Sequence, residues 1–72
     1  MKVSYATIGQ NVRRAREAAG LSLEGMAGRV RFFPTHLMRV EAGERPVSLE
    51  ELAALCDVLD VLPAQLLEHA FN

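Results

Sequence analysis

The sequence has few of the residues that cross-link a chain or line a specialised site. Among its 72 residues there are one cysteine, Cys56, no tryptophan and four aromatic residues. A single cysteine excludes an internal disulfide and a multi-cysteine metal site, which is typical of a reducing cytoplasm. No apolar run approaches the ~18 residues of a membrane span, and nothing resembles a secretory signal. We therefore expect a cytoplasmic protein without a membrane segment.

Patterns that indicate catalysis or metal binding are also missing. The two histidines, His36 and His69, are far apart in sequence, and no second ligand stands at helical spacing from either. There is no phosphate-cradling glycine loop and no pair of carboxylates in an obvious cleft. Cys56 lies on the apolar side of a predicted helix, where a small core residue is expected. We expect no enzyme, no metal and no cofactor.

The formal net charge of −1 conceals an uneven distribution along the chain. Residues 1–45 contain all eight basic residues and four acidic ones, a net charge of +4, whereas residues 46–72 contain five acidic residues and no basic one. The first part is suited to contact phosphates and the second is not. Chance sorting of charges in so short a chain is the alternative.

Apolar residues at helical spacing predict five helices, no strand and one all-α domain over residues 1–72. The expected helices cover about 5–19, 23–30, 34–42, 49–59 and 63–70. A domain this small has a marginal core, so dimerisation would help its stability. Helix 3 has two possible starts, with Pro34 in its first turn behind Phe33 or with Thr35 as its N-cap.

The second and third predicted helices form the layout of a helix-turn-helix motif. Ser22 is a good N-cap for helix 2, a three-residue turn follows it, and Gly43 ends helix 3. In such a motif the first helix supports the second, whose polar face enters the major groove of DNA. The next helix starts at a capping box, Ser48 with Glu51 three residues later.

Short pieces at the correct spacing closely resemble the phage Cro and repressor helix-turn-helix family, the XRE-like proteins, over residues 8 to about 67. The pieces are Ile8-Gly9, Gly20-Leu21-Ser22, Met26-Ala27, Leu37, Arg39-Val40-Glu41, Gly43, Ser48-Leu49 and Leu52-Ala53. The resemblance implies a five-helix, lambda-repressor-like domain that binds double-stranded operator DNA as a two-fold homodimer. Proteins of this kind regulate transcription, most often as repressors.

The resemblance also implies roles for individual residues. Arg16 and Glu41 correspond to a mostly buried ion pair between helices 1 and 3, and an acid on the inner edge of a short helix needs such a partner. Base contacts are expected from the outward side of helix 3, namely Thr35, His36, Met38 and Arg39. For His36, a solvated surface residue is an equally good interpretation. For Arg39, the alternative to a base contact is a solvated or ion-paired charge.

Phosphate contacts are expected around the same motif. The family uses backbone N–H groups at the start of helix 2, which correspond here to Ser22 and Leu23, where the helix dipole favours an anion. Arg13 on helix 1, Arg45 in the loop after helix 3 and Arg31 in the turn are the expected side-chain contacts.

Three residues depart from the family pattern. Leu23 replaces a usual glutamine, Arg31 a usual turn glycine, and Phe33 a usual serine or threonine cap. Arg31 is therefore expected to adopt a left-handed conformation at some cost. Leu23 and Phe33 are expected to form a small apolar patch on the surface that faces DNA. Phe33 then stacks on a sugar or thymine methyl, packs under Leu23 as a spacer or contacts a protein; we expect the packing.

The end of the chain has more apolar surface than a short fifth helix can bury. It comes from Val61, Leu62, Leu67 and Phe71. We expect a two-fold related copy to cover these residues, which would place two third helices about 34 Å apart on a palindromic operator. The alternative is that Leu67 and Phe71 fold back on helix 1 near Tyr5.

The rival hypothesis for function is a protein-interaction module on the same scaffold. An antirepressor, or the partner of a true repressor, would use Leu23 and Phe33 for a protein contact and would bind little DNA. Salt-sensitive DNA binding distinguishes the two, because phosphate contacts release counterions. A restriction-modification controller or an antitoxin would keep DNA binding and change only the biological setting.

Overall fold

Five α-helices joined by short loops make up the computed structural model, which describes residues 1–72. They are α1 (Tyr5–Ala18), α2 (Leu23–Val30), α3 (Pro34–Glu41), α4 (Leu49–Leu59) and α5 (Pro63–Leu66). The all-α architecture and the order of the helices agree with the sequence prediction. None of the helices has both the length and the apolar character that crossing a membrane requires.

Serine residues are the N-caps of three of the helices. The hydroxyls of Ser4 and Ser22 each accept a hydrogen bond from the backbone N–H three residues ahead, at 3.1 and 3.0 Å. Ser48 accepts from the Glu51 N–H, and the Glu51 carboxylate accepts from the Ser48 N–H, which completes the predicted capping box. These bonds satisfy N–H groups that have no partner within the helix.

Helix α3 begins without a side-chain cap. Pro34 is in its first turn, directly behind Phe33, whose side chain has no hydrogen-bond acceptor. Phe33 is extended, with φ −66° and ψ 143°, the backbone region that a following proline favours. Of the two starts that the sequence allows, the structure therefore has the proline start rather than a Thr35 cap.

The fifth helix is shorter than the sequence predicts. Expected over 63–70, it ends at Leu66, and His69 has a left-handed backbone with φ 61°. The chain then turns back and pairs with the N-terminal segment, where the Ser4 N–H donates to the Ala70 carbonyl at 2.7 Å. The apolar residues of this segment do occur at helical spacing, but pairing of the two chain ends competes with the helix. In the resulting turn Ala70 is buried, Leu67 is half-buried and Phe71 remains 48% exposed.

One apolar core lies between the helices. Its twelve buried residues are Ile8, Val12, Met26, Ala27, Val30, Leu37, Leu52, Leu55, Cys56, Leu59, Leu66 and Ala70. Full burial of a side chain the size of leucine or methionine contributes about 1.5–3 kcal/mol. Packing of this kind stabilises α2 even though two of its eight residues are glycines, which favour the unfolded chain.

Helices α1 and α3 approach each other closely at Gly9. A Cβ at this position would overlap the backbone carbonyls of Val40 and Glu41, so only glycine permits the crossing. Gly43, just after α3, has the same role against Ala6 and has a φ of +73°. These two glycines fix the position of α3 on α1.

An ion pair joins α1 to α3 beside this crossing. Arg16 donates from Nε to Glu41 Oε2 at 2.7 Å and from Nη2 to Oε1 at 3.0 Å. Its Nη1 donates to the Leu21 carbonyl at 2.9 Å, so the same side chain also holds the loop before α2. The side chains are only 12% and 8% exposed, and the hydrogen bond to Glu41 raises the pKa of Arg16. This geometry is bidentate, the arrangement in which arginine and a carboxylate bind most strongly.

A second polar contact joins α3 to α4. His36 Nε2 lies 2.6 Å from Glu51 Oε2, and the Phe32 ring meets the imidazole edge-on with centroids 4.7 Å apart. Burial raises the pKa of the Glu51 carboxyl, but hydrogen bonds from the Ser48 N–H and from His36 outweigh it and leave the pKa lowered. One carboxylate therefore caps α4 and holds α3 beside it.

Replacing Arg16 with methionine is expected to reduce the free energy of unfolding by about 3–5 kcal/mol, because Glu41 is left charged and nearly buried. Urea unfolding of the purified variant measures this loss. The matched control is Arg13→Met, which removes an exposed pair with Glu17 at 3.3 Å and should change stability little. Equal effects of the two substitutions would contradict the structural role of the Arg16 pair.

The lowered pKa of Glu51 predicts a particular acid dependence of stability. Because the carboxyl is more acidic when folded, its contribution is full above the unfolded pKa and is lost as the pH falls through the lower folded pKa. Glu51→Gln should therefore lose less stability than the wild type across this acid range in urea titrations. Glu50→Gln, at an exposed neighbouring position, should follow the wild type; identical acid dependence in all three proteins would refute the assignment.

Candidate nucleic-acid interface

Helices α2 and α3 and the turn between them form a helix-turn-helix unit. The inner side of α3 is held by Leu37 and Val40, both fully buried against the rest of the domain. The turn residue Phe32 is half-buried and packs on the core. Arg31 begins the turn in a left-handed conformation, φ 61° and ψ 38°, so this arginine does adopt the expected glycine-like geometry.

The outer side of α3 carries three exposed side chains, Thr35, Met38 and Arg39, which we call the reading face. Their spacing places them on one side of the helix, opposite Leu37. Together they offer a guanidinium that can donate two parallel hydrogen bonds, a hydroxyl that donates or accepts, and a half-exposed thioether. In a major groove such a guanidinium binds guanine O6 and N7, a hydroxyl bonds to more than one base, and an apolar group contacts the thymine methyl.

His36 is not part of the reading face. Its side chain is 20% exposed, its Nε2 is engaged by Glu51, and its ring packs against Phe32. Three of the four expected base contacts are thus free on the surface, whereas His36 holds α3 against α4. The spacing of 15 residues between His36 and Glu51 has no local signal, so the sequence did not reveal this contact.

The residues expected to contact phosphates lie on α1, at the start of α2, in the turn after α2 and in the loop after α3. Arg31, Arg45 and Arg13 are all exposed, although Arg13 also pairs with Glu17 on α1. Ser22 is exposed and uses its hydroxyl to cap α2. The first turn of α2 also contains Glu24, whose charge opposes an anion at this helix end.

Leu23 and Phe33 do not form the exposed apolar patch that the sequence predicts. Leu23 is half-buried and packs against the core, whereas 81% of Phe33 is exposed. The expectation that Phe33 packs under Leu23 is therefore wrong. Its physical reason is that Phe32 occupies the inner position of the turn, so that the next aromatic ring, fixed in extended backbone before Pro34, remains in solvent.

The four residues expected at a dimer interface lie in different surroundings. Leu62 is 69% and Phe71 48% exposed, while Val61 and Leu67 are half-buried against the core. Leu67 and Phe71 line a groove of about 220 Å³ together with Tyr5, Val3 and Leu49 among others. This is the arrangement of the alternative interpretation, in which both residues fold back towards the start of α1. The apolar groove remains open to solvent.

No three histidine, cysteine or acidic side chains come together as a metal site would require. Cys56 is buried, and this burial raises the pKa of its thiol, which disfavours the reactive thiolate.

Asn11 is a structural residue that the sequence analysis missed. It is buried on α1, and its amide donates to the carbonyls of Leu66 and Glu68 at 2.9 Å each, which holds the end of the chain. Its Oδ1 accepts a hydrogen bond from Arg14. The signal was present, because Asn11 lies between Ile8 and Val12 on the apolar stripe of the first helix.

Comparison with solved structures places this fold among bacterial regulators. The restriction-modification controller protein C.AhdI from Aeromonas hydrophila is 35% identical, with a TM-score of 0.82 over 86% of this chain and 94% of that one. The clp gene regulator ClgR from C. glutamicum is 30% identical, with a TM-score of 0.85 over 93% and 87% of the two chains. The biofilm master regulator SinR, solved in complex with DNA, is 29% identical, with a TM-score of 0.80 over 85% and 98%.

The sequence was also compared with curated proteins and with protein families. No curated protein matches it. Residues 7–70 match the family described as a helix-turn-helix domain, which includes α2, the turn and α3 in full. This match and the similarity to C.AhdI agree with the resemblance stated from the sequence. The chain belongs to the helix-turn-helix domain family, of the XRE-like type.

Proposed function

We propose that this protein is a DNA-binding transcriptional regulator that inserts α3 into the major groove of a palindromic operator as a homodimer and represses transcription. The observation that carries the proposal is the reading face: Thr35, Met38 and Arg39 are exposed on one side of a helix whose other side is fixed in the core. A regulator of similar fold, SinR, was solved in complex with DNA.

Electrostatics support the same orientation. All the basic residues lie in residues 1–45, which include α2, α3 and the reading face, and this segment has a net charge of +4. The acidic segment, residues 46–72, forms α4, α5 and the end of the chain. An anionic duplex is therefore attracted to the α2 and α3 side, where Arg31, Arg39 and Arg45 are exposed.

The homodimer is proposed through the exposed apolar residues at the other end of the chain. Leu62 and Phe71, with the adjoining groove beside Leu67, leave apolar side chains in water that a second copy would cover. A two-fold axis through this contact would relate the α3 helices of the two copies, and each would bind one half-site. The DNA sequence that the dimer recognises would therefore be palindromic.

A second candidate is a protein-interaction module on the same scaffold. SinR, whose fold is similar, was also solved in complex with the SinI protein. The exposed Phe33 favours a contact of this kind, but Leu23, its expected partner in that surface, is packed on the core. DNA binding therefore has the stronger support.

Substitution of Arg39 and Arg45 separates base reading from phosphate binding. On a site selected from random DNA, Arg39→Ala should cost about 1–3 kcal/mol and relax the preference at one base pair per half-site. Arg45→Ala should weaken binding to every sequence and reduce the slope of log affinity against log salt by about 1. Fluorescence anisotropy at several salt concentrations measures both.

Arg29→Ala, an exposed cation in the last turn of α2, is the matched control and should retain full affinity. Wild-type affinity and sequence preference in both the Arg39 and the Arg45 variants would show that the site is assigned to the wrong residues. Absence of wild-type binding to any DNA at low salt would favour the protein-interaction module.

Leu62→Glu tests the proposed dimer, because Leu62 is exposed enough to change without unfolding the monomer. Sedimentation equilibrium should show a wild-type dimer and a monomeric variant, since a buried unpaired carboxylate opposes association. Ala53→Glu, at an exposed position on α4, should leave the mass unchanged. A monomeric wild type in the presence and absence of DNA would contradict the homodimer.

A further inference from the structure

Phe33 is the exposed aromatic residue that the fold leaves unexplained. It stands immediately before α3, yet 81% of its surface is exposed, so burial does not account for its presence. It does not cap the helix either, because its side chain cannot accept a hydrogen bond from the free N–H groups of the first turn. A residue type that stabilises neither the core nor the start of the helix is typical of a position that contacts another molecule.

The backbone of Phe33 is restricted by its neighbours. Pro34 fixes its own φ and restricts Phe33 to the extended region in which it is found. The Phe33 carbonyl accepts the Leu37 N–H at 3.1 Å, which ties this residue to the buried side of α3. The Phe33 backbone therefore has little freedom to lose when the residue meets a partner.

The surroundings of Phe33 favour DNA over a protein partner. Its sequence neighbours on the surface are Arg31, Pro34 and Thr35, with Arg39 one turn further along α3. Leu23 is packed on the core and does not extend the ring into the broad apolar area that a protein contact uses. The other large apolar side chain exposed on α3, Met38, lies on the reading face beside Arg39. An apolar ring and thioether among exposed arginines are complementary to an anionic duplex that carries small apolar groups.

We propose that Phe33 is a specificity-determining residue that packs its ring on the C5 methyl group of a thymine in the major groove. This inference rests on the proposed function. The thymine methyl is the apolar group that a base pair presents in that groove, and an aromatic ring at the start of α3 is placed to meet it. Phe33 adds an apolar contact beside the hydrogen bonds of Thr35 and Arg39.

Uracil lacks the C5 methyl and retains the other groups of thymine, so uracil substitution provides the test. A site selected from random DNA by the full chain is synthesised with uracil in place of each thymine in turn. Wild-type affinity should fall about fourfold at one position per half-site, the effect of one buried methyl group. Phe33→Ala should bind the parent site more weakly and be insensitive to uracil at that same position.

Asp57→Ala is the control, because Asp57 is also exposed but lies on α4, away from the reading face and from the apolar groove beside Leu67. Its uracil profile should match that of the wild type. If the wild type binds DNA and Phe33→Ala keeps the full wild-type profile, the inference about Phe33 is overturned while the proposed function stands, and a protein contact becomes the use of the ring. If the wild type binds no DNA at low salt, the proposed function fails as well.

Discussion

The bidentate pair between Arg16 and Glu41 is the interaction on which the rest of the structure depends. It lies beside the close crossing of α1 and α3, which Gly9 and Gly43 permit, and the same guanidinium holds the Leu21 carbonyl before α2. Two nearly buried charges are costly to desolvate, so the pair requires this geometry and is intolerant of losing either partner. The orientation of α3 follows from it.

Once α3 is fixed, its two sides have different chemistry. Leu37 and Val40 are buried, and His36 contacts Glu51 at the edge next to α4. The side chains of the reading face are exposed to solvent, so their hydrogen-bonding groups remain available to a partner. The charge of the chain has the same asymmetry, because the basic residues accompany α2 and α3 and the acidic ones accompany α4 and α5.

Much of the fold followed from local signals in the sequence. The Ser48 capping box, the Ser22 cap and the apolar spacing predicted the helices. The left-handed backbone of Arg31 was also expected, because Arg31 stands where the XRE-like family usually has a glycine. The predictions that were wrong concern features that depend on contacts between distant segments. The end of α5 is set by pairing with the N-terminal segment and by the Asn11 amide. Apolar spacing cannot reveal the pairing, and it marks Asn11 as a polar residue on the apolar stripe of α1 without showing its partners.

The candidate site was predictable to the same extent. The resemblance to XRE-like proteins implied that Thr35, Met38 and Arg39 lie on the outer side of α3, and their exposure opposite the buried Leu37 agrees with it. The prediction of a base contact for His36 failed because its partner, Glu51, is fifteen residues away in the sequence. The predicted packing of Phe33 under Leu23 failed because the packing of Phe32 decides which of the two adjacent rings enters the core.

The central claim, that the outer side of α3 meets DNA, is tested most directly by amide NMR of the protein during titration with a selected duplex. The account predicts that the largest chemical-shift changes fall at the start of α2 and over residues 33–39, with the acidic segment 46–72 little affected outside the contact with His36. Changes concentrated in α4 and α5, with α3 unperturbed at saturating DNA, would contradict it.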